Sequence, residues 1–264
     1  MIWPAKEELP DSKYRRLDPQ RIIETVQTLQ GRIEGRFPGS GLGNVVAELR
    51  RVAEETVART QWIQKPHLPL RFAAVLLSAA IVALLVGLLV QIRHFQLDEY
   101  SNSVQALEAS ISSVVFIGAA VVFLVSWEHR IKRNRALKAI HELRALAHIV
   151  DMHQLTKDPE SYFRPNQHST SPPRRAMTPF ELNRYLDYCS ESLALISKIA
   201  ALYVQEFQDQ VLLDAVDDVE DLTSGFSGKI GQKLSLLETL GRTLLVPRAD
   251  TATDEKSGTL TSKS

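Results

Sequence analysis

The sequence predicts an all-α membrane protein: a two-helix transmembrane hairpin carrying a cytoplasmic helical bundle with coiled-coil-like helices. Three observations predict it. Two long runs, 72–92 and 111–127, contain no charged residue. Outside them apolar residues recur at spacings of three and four rather than alternating, which is helical periodicity. Lysine and arginine flank the two runs and are nearly absent from the segment between them, the asymmetry that orients a membrane hairpin.

Composition narrows the function classes. Lys plus Arg equals Asp plus Glu, 31 of each, so no global charge favours nucleic acid, and none is expected as a partner. Cys189 is the single cysteine, which excludes an intrachain disulfide and a cysteine-based zinc site.

Residues 1–69 read as an N-terminal cytoplasmic helical region. Residues 1–17 show no period and read as irregular. Asp18-Pro19 is a helix start, a capping side chain followed by proline at the first helical position. Ile22, Val26, Leu29 and Ile33 form an apolar stripe that ends near Gly35. Residues 38–43, PGSGLG, read as a turn. Their glycines resemble a phosphate-cradling loop only superficially, because no strand precedes them and no Gly-Lys-Ser/Thr follows. A second helix carries Leu42, Val45, Leu49, Val52, Thr56 and Arg59 on one line, and Pro66 and Pro69 separate it from the first span.

Residues 70–127 form the predicted hairpin. The first span, 72–92, holds 21 residues, about 31 Å as a helix, which matches the hydrocarbon thickness. It is not read as a signal peptide, since about seventy residues precede it. Ala79, Ala83 and Gly87 recur every fourth residue, a spacing that permits close approach to the second span or to another copy. The second span covers 107–127, with Glu108 at one interface and Trp127 as an aromatic anchor at the other. Residues 93–106 are the predicted external loop. Arg50, Arg51, Arg59, Lys65 and Arg71 precede the hairpin, and Arg130, Lys132, Arg133, Arg135 and Lys138 follow it. Both termini of this multi-pass chain are therefore expected in the cytoplasm and the loop outside.

Residues 128–157 continue the second span as a rod with Ala136, Ile140, Leu143, Ala147 and Val150 on its packed face. Residues 158–177, with four prolines, read as a linker. Residues 178–246 form a C-terminal helical region. Thr178-Pro179 opens it, and Leu182, Leu186, Cys189, Leu193, Ile196, Ala200, Tyr203 and Phe207 keep a four-three stripe. The stripe shifts at Val211, Ala215, Val219 and Leu222, which predicts a local change in winding. A break is predicted at 224–228, then a short helix with Ile230, Leu234, Leu237, Leu240 and Leu244. Residues 247–264 have the composition of a disordered tail.

Beside the small-residue face of the first span, three groups of residues are candidate sites. His141, Arg144, His148 and Asp151 fall along one helix edge and read as a polar seam inside a bundle, with a metal or proton-sensing role as the alternative. His148 and Asp151 are three residues apart and close enough to share an ion, whereas His141 lies about 10 Å away. Asp214, Asp217, Asp218 and Asp221 share a face. They read as a solvated acidic surface, or one pairing with the basic rod 130–138, ahead of a cation site, since no calcium-loop pattern is present. The basic cluster Arg130, Lys132, Arg133, Arg135 and Lys138 suits topology or anionic lipid. No nucleophile–base set carries a local motif, so no catalytic residue and no cofactor is predicted.

Two stretches, HELRALAHIVDMHQLTKDP at 141–159 and ELNRYLDYCSESLALISKIAALYVQEF at 181–207 followed by LTSGFSGKIGQKL at 222–234, resemble an uncharacterised group of bacterial two-span membrane proteins with a helical cytoplasmic C-terminal half. The resemblance implies a bacterial cytoplasmic membrane and transfers no catalytic or binding residue.

The expected role is non-enzymatic: a scaffold, assembly factor or regulatory subunit working through helix–helix contacts. Its expected partners are the lipid bilayer and a second copy or another membrane or cytoplasmic protein. The alternatives are a signal transducer or effector using the 127–157 rod, an oligomeric channel, and a metalloenzyme built on His148, Asp151 and the acidic helix. The channel is disfavoured because neither span carries a central ionisable residue.

Overall fold

A computed structural model describes residues 15–65, 68–93, 100–157, 159 and 177–245. Six helices make up these residues: α1 (Pro19–Arg36), α2 (Gly41–Gln64), α3 (Leu68–Arg93), α4 (Tyr100–Leu155), α5 (Pro179–Glu206) and α6 (Gln210–Leu245). No strand occurs among them, so the all-α class stands. The readings of 1–14 as irregular, of most of 158–177 as a linker and of 247–264 as a tail lie outside the described residues.

Helix starts follow local chemistry. The Asp18 side chain accepts from the N–H groups of Gln20 and Arg21, with Pro19 at the first helical position. Ser40 accepts from the N–H of Gly43 to start α2. Between these helices Phe37–Ser40 turns the chain, and Gly39 takes φ 66°, a conformation that favours glycine. Thr178 and Glu181 form a reciprocal capping box on α5. Pro69 lies inside the first turn of α3 rather than ahead of it, a position where its missing N–H costs no helical bond.

Five helical segments form the bundle: α1, α2, the second half of α4, α5 and α6. Buried Val26, Leu29, Ile33, Leu42, Leu49, Leu143, Leu182, Leu186, Leu193, Ile196, Ile199, Tyr203 and Leu212 belong to one core. Each fully buried aliphatic side chain contributes about 1.5–3 kcal/mol. Cross-helix contacts fix the path. Arg32 meets Glu191, and Leu17 meets Gln205, so α1 and α5 are antiparallel. Arg59 meets Glu142, and Trp62 meets Arg135, so α2 runs against α4. Arg133 meets Asp209, and His148 meets Phe226, so α4 and α6 run parallel.

One helix, α4, is long and apolar enough to cross a membrane, over Ile111–Leu155, and little of its apolar window is buried. The expectation of two such spans is met in part: α3 carries the shorter apolar stretch Arg71–Gly87 and packs along α4. Helix α4 spans 56 residues without interruption, about 84 Å, and enters the core at Ala136. It begins at Tyr100, so the second half of the predicted 93–106 loop is helical.

The structure corrects three expectations. No break occurs at 224–228: α6 runs through Gly225 and Gly228. Buried Val219, Thr223, Phe226 and Ile230 anchor it on neighbouring helices, and that packing outweighs the roughly 1 kcal/mol each glycine costs a helix. The break lies instead at Phe207–Asp209, where the apolar stripe shifts. The shift marks a chain reversal rather than a change in winding. There Asp209 caps α6 by accepting from the N–H of Leu212 at 3.2 Å. Third, Ala79, Ala83 and Gly87 are exposed rather than packed on α4, so of the two expected partners for this face the second span is excluded and another copy of the chain stands. The half-buried positions Ala73, Ala74, Leu77, Ile81 and Leu84 recur at three- and four-residue steps and form the α3 face turned towards α4, and Ala79, Ala83 and Gly87 lie off that face.

Candidate functional site

A set of ion pairs lies at the junction where apolar surface gives way to packed core. Glu128 is the first ionisable residue after the uncharged run 111–127. It is nearly buried, and so is Lys132 one turn on, 2.9 Å away. Arg71 at the start of α3 approaches the same carboxylate at 3.8 Å. Burial of a charge is tolerated when it is paired in this way. Just beyond, Arg133 lies 3.7 Å from Asp209, and His129 faces Phe207, so the α5–α6 reversal sits beside α4 near the end of its apolar run.

A cleft of about 380 Å³ opens next, between α2 and α4. Ala58, Arg59, Trp62 and Ile63 line one wall, and Arg135, Lys138, Ala139 and Glu142 the other. The lining positions fall at one-, three- and four-residue steps, so each helix presents a single face. Arg59 donates to Glu142 at 2.7 Å and to Glu55 at 2.6 Å. Burial opposes its charge, but bonds to Glu142 and Tyr203 outweigh burial and hold its pKa above the ordinary arginine value. The Arg135 guanidinium stacks 3.9 Å from the Trp62 ring centre, a cation–π contact. Behind the cleft the Tyr203 hydroxyl lies 3.2 Å from Thr56 Oγ1. Burial raises the Tyr203 pKa, against the opposing effect of its Thr56 and Arg59 bonds, so the phenol stays protonated.

At the far end of the bundle the His153 ring rests against Gly41. Its Nδ1 is 3.5 Å from the Tyr185 hydroxyl. Burial, then the nearby Lys157 charge, lowers its pKa. Lys233 of α6 donates to the carbonyls of Gln154 and Lys157 at 2.7 and 3.1 Å, capping the end of α4. Cys189 is fully buried, and burial pushes its thiol pKa up to about 12.

The residues singled out in sequence are distributed differently. His141, Arg144 and His148 are exposed and Asp151 is half-buried, so they form a surface edge and not an internal seam. The reason is register: Ala139, Ile140, Leu143, Ala147 and Val150 take the inward positions. His148 packs edge-on to Phe226, and Asp151 accepts from Gln154 Nε2 at 2.7 Å. Asp214, Asp217, Asp218 and Asp221 are exposed. Asp218 lies 3.7 Å from Arg144, and Asp214 accepts from Gln210. Among the described residues no group of three or more His, Cys, Asp or Glu side chains stands close enough to hold a metal ion, so His148 and Asp151 are not gathered with the acidic helix.

Of the basic cluster, Arg130 and Lys138 are exposed, while Lys132, Arg133 and Arg135 are engaged by Glu128, Asp209 and Trp62. Lys132 in particular is buried rather than facing lipid, because an i+4 carboxylate partner is at hand. Sequence reasoning missed the Arg59–Glu142–Tyr203–Thr56 network and the His153–Gly41 contact. The signal for the first was present: Thr56 and Arg59 are polar residues on the otherwise apolar line of α2. Comparison of the chain with protein-family models, with curated proteins and with solved structures gives no match.

Proposed function

We propose that this chain is a two-span membrane protein of non-enzymatic function, a scaffold or regulatory subunit that holds a helical bundle at the cytoplasmic face of the membrane. One observation carries the reading. Phe72, Val75, Leu76, Val82, Leu85 and Val86 on α3 are exposed, as are Ile111, Val115, Phe116, Val122, Phe123 and Trp127 on α4, whereas the bundle buries most of its large apolar side chains in one core. An apolar surface of this extent on a monomer calls for lipid or protein cover. The 17 residues of Arg71–Gly87 reach about 26 Å as a helix, so a second span lies within the range that bilayer thinning accommodates. The basic residues on both sides of the hairpin support a cytoplasmic bundle.

A second reading, a signal transducer or effector, is favoured by one feature: α4 runs unbroken from the apolar stretch into the bundle core. The two readings share an anchoring mode and differ in whether the bundle moves.

Anchoring and topology are tested with single reporter cysteines in a Cys189→Ser background. Asn102→Cys is expected to react with an impermeant maleimide added outside intact cells, and Ser40→Cys only after permeabilisation. Release of the chain by alkaline carbonate would overturn the anchoring, and the reverse labelling pattern would overturn the orientation. Role is tested by crosslinking in intact membranes: capture of one stoichiometric partner supports a scaffold or regulatory subunit. Self-crosslinks alone, together with turnover of an added substrate, would refute the non-enzymatic reading.

A further inference from the structure

We propose that the α2–α4 cleft is a binding site for a phosphate monoester. Its lining carries three cations, Arg59, Arg135 and Lys138, and one carboxylate, Glu142. The carboxylate is already committed to Arg59 at 2.7 Å. Arg135 stacks on Trp62, which occupies a face of its guanidinium and leaves the N–H edge for an acceptor. Among the described residues neither Arg135 nor Lys138 has a carboxylate within ion-pair distance. The cleft thus presents two uncompensated positive charges on one helix, a turn apart. A phosphate monoester carries between one and two negative charges at neutral pH and offers acceptor oxygens in the geometry that an arginine fork and a lysine point charge recognise. A carboxylate ligand could reach both cations but, with a single negative charge, would balance only one of the two positive charges.

The remaining wall selects the other end of the ligand. Trp62, Ile63, Ala58 and Ala139 are apolar or aromatic, so the ester carries a non-polar portion that lies along α2. The volume, about 380 Å³, fits the lower part of the range for small-molecule sites. The Arg59–Glu142 and Arg59–Glu55 bonds hold the third cation in place, which limits reorganisation on binding. Two sources supply this chemistry: a phosphorylated soluble metabolite, or the monoester headgroup of an anionic lipid. Arg135 and Lys138 follow Trp127 by 8 and 11 residues, about 12 and 16 Å along the helix, so the cleft opens on the bundle side of the interface.

The test uses the full chain with Trp3→Phe and Trp127→Phe, so that Trp62 is the one tryptophan, excited at wavelengths where tyrosine does not absorb. The probes are inorganic phosphate, glycerol 3-phosphate, sodium chloride at matched ionic strength, and nanodiscs with and without phosphatidic acid. A saturable change in Trp62 emission is expected with a phosphate probe and not with chloride. Lys138 is exposed and makes no ion pair among the described residues, so Lys138→Gln removes a charge without removing a bond. It is expected to weaken binding about tenfold, and Arg135→Gln to do the same or more. Lys198→Gln, in the separate groove between α1 and α5, is expected to leave binding unchanged. A response to glycerol 3-phosphate identifies a soluble ligand, and one confined to phosphatidic acid nanodiscs identifies a lipid. No saturable response to any phosphate probe, an equal response to chloride, or unchanged affinity in Lys138→Gln would overturn the proposal. These outcomes do not depend on whether the chain spans the membrane once or twice.

Discussion

Replacing Gly41 with alanine sets two effects of opposite sign against each other at the start of α2. Alanine is the better helix residue, and the exchange alone is expected to stabilise by about 0.5–1 kcal/mol. The new Cβ, however, would overlap His153 Cε1 and lie 3.2 Å from Nε2. To make room the ring must swing from its place beside the Tyr185 hydroxyl, and strain of this kind costs about 1–3 kcal/mol. The overlap is the larger effect, so Gly41→Ala is expected to destabilise by about 1–2 kcal/mol. At roughly 2–4 °C per kcal/mol for a chain of this size, the melting temperature falls by about 2–8 °C. The decisive measurement is a double-mutant cycle by thermal unfolding in detergent. In a His153→Ala background the overlap is gone, and Gly41→Ala is expected to raise the melting temperature by about 1–4 °C. The same step of the same sign in both backgrounds would refute the idea that this contact holds the α1–α2 turn against α4.

Other expectations follow from single groups. The folded-state pKa of His153 is lowered by burial and by Lys157, so the unfolded chain takes up its proton first as pH falls. Stability is therefore expected to decline below about pH 6.5, and less steeply in His153→Gln, with denaturant midpoints between pH 5.5 and 7.5 as the check; identical slopes would remove His153 from the account. Cys189, buried with a pKa of about 12, is expected to resist thiol reagents until the bundle opens, so that rapid labelling of native protein would contradict its burial. Glu128→Leu leaves the Lys132 charge buried and is expected to cost about 3–5 kcal/mol, while Glu128→Leu with Lys132→Met returns to within about 1 kcal/mol of the parent. Equal losses in the single and double variants would show that the pair is not buried as a unit.

Features written into short stretches of chain were legible in the sequence. The caps at Asp18 and Thr178 require only a side chain and the next three residues, and both form. The stripe from Leu182 to Tyr203 is buried as its spacing predicts, because one helix face meets one core. Continuity of α4 past Trp127 followed from the absence of any breaker. What was not legible depends on partners distant in the chain. Gly225 and Gly228 look like a break, yet residues on α4 and α5 hold that stretch helical. The reversal at Phe207–Asp209 contains neither glycine nor proline, and only the side chain of Asp209 marks it. The cleft joins Arg59 and Trp62 to Arg135 and Glu142, more than seventy residues away, so no local motif announces it. The histidine edge misled for a related reason: its residues lie beside the packed stripe of α4, and a shift of one position decides between core and surface.

The bundle core is assembled from the two ends of the chain. Arg32 and Glu191 are 159 residues apart, and the apolar hairpin lies between them. During synthesis α1 and α2 emerge first with Ile22, Val26, Leu29 and Leu49 exposed; α4 reaches α2 once residue 155 is made, but α5, the helix that covers both, is complete only at residue 206. At about 5–20 residues per second that interval lasts roughly 7–30 s, long compared with the time in which helices form or apolar surfaces collapse. The N-terminal pair therefore has to wait as an incomplete half, open to wrong partners. Covalently linking the halves does not shorten the wait, but supplying α5 and α6 in advance as a separate fragment would, and the efficiency of such complementation measures how far the hairpin delays closure.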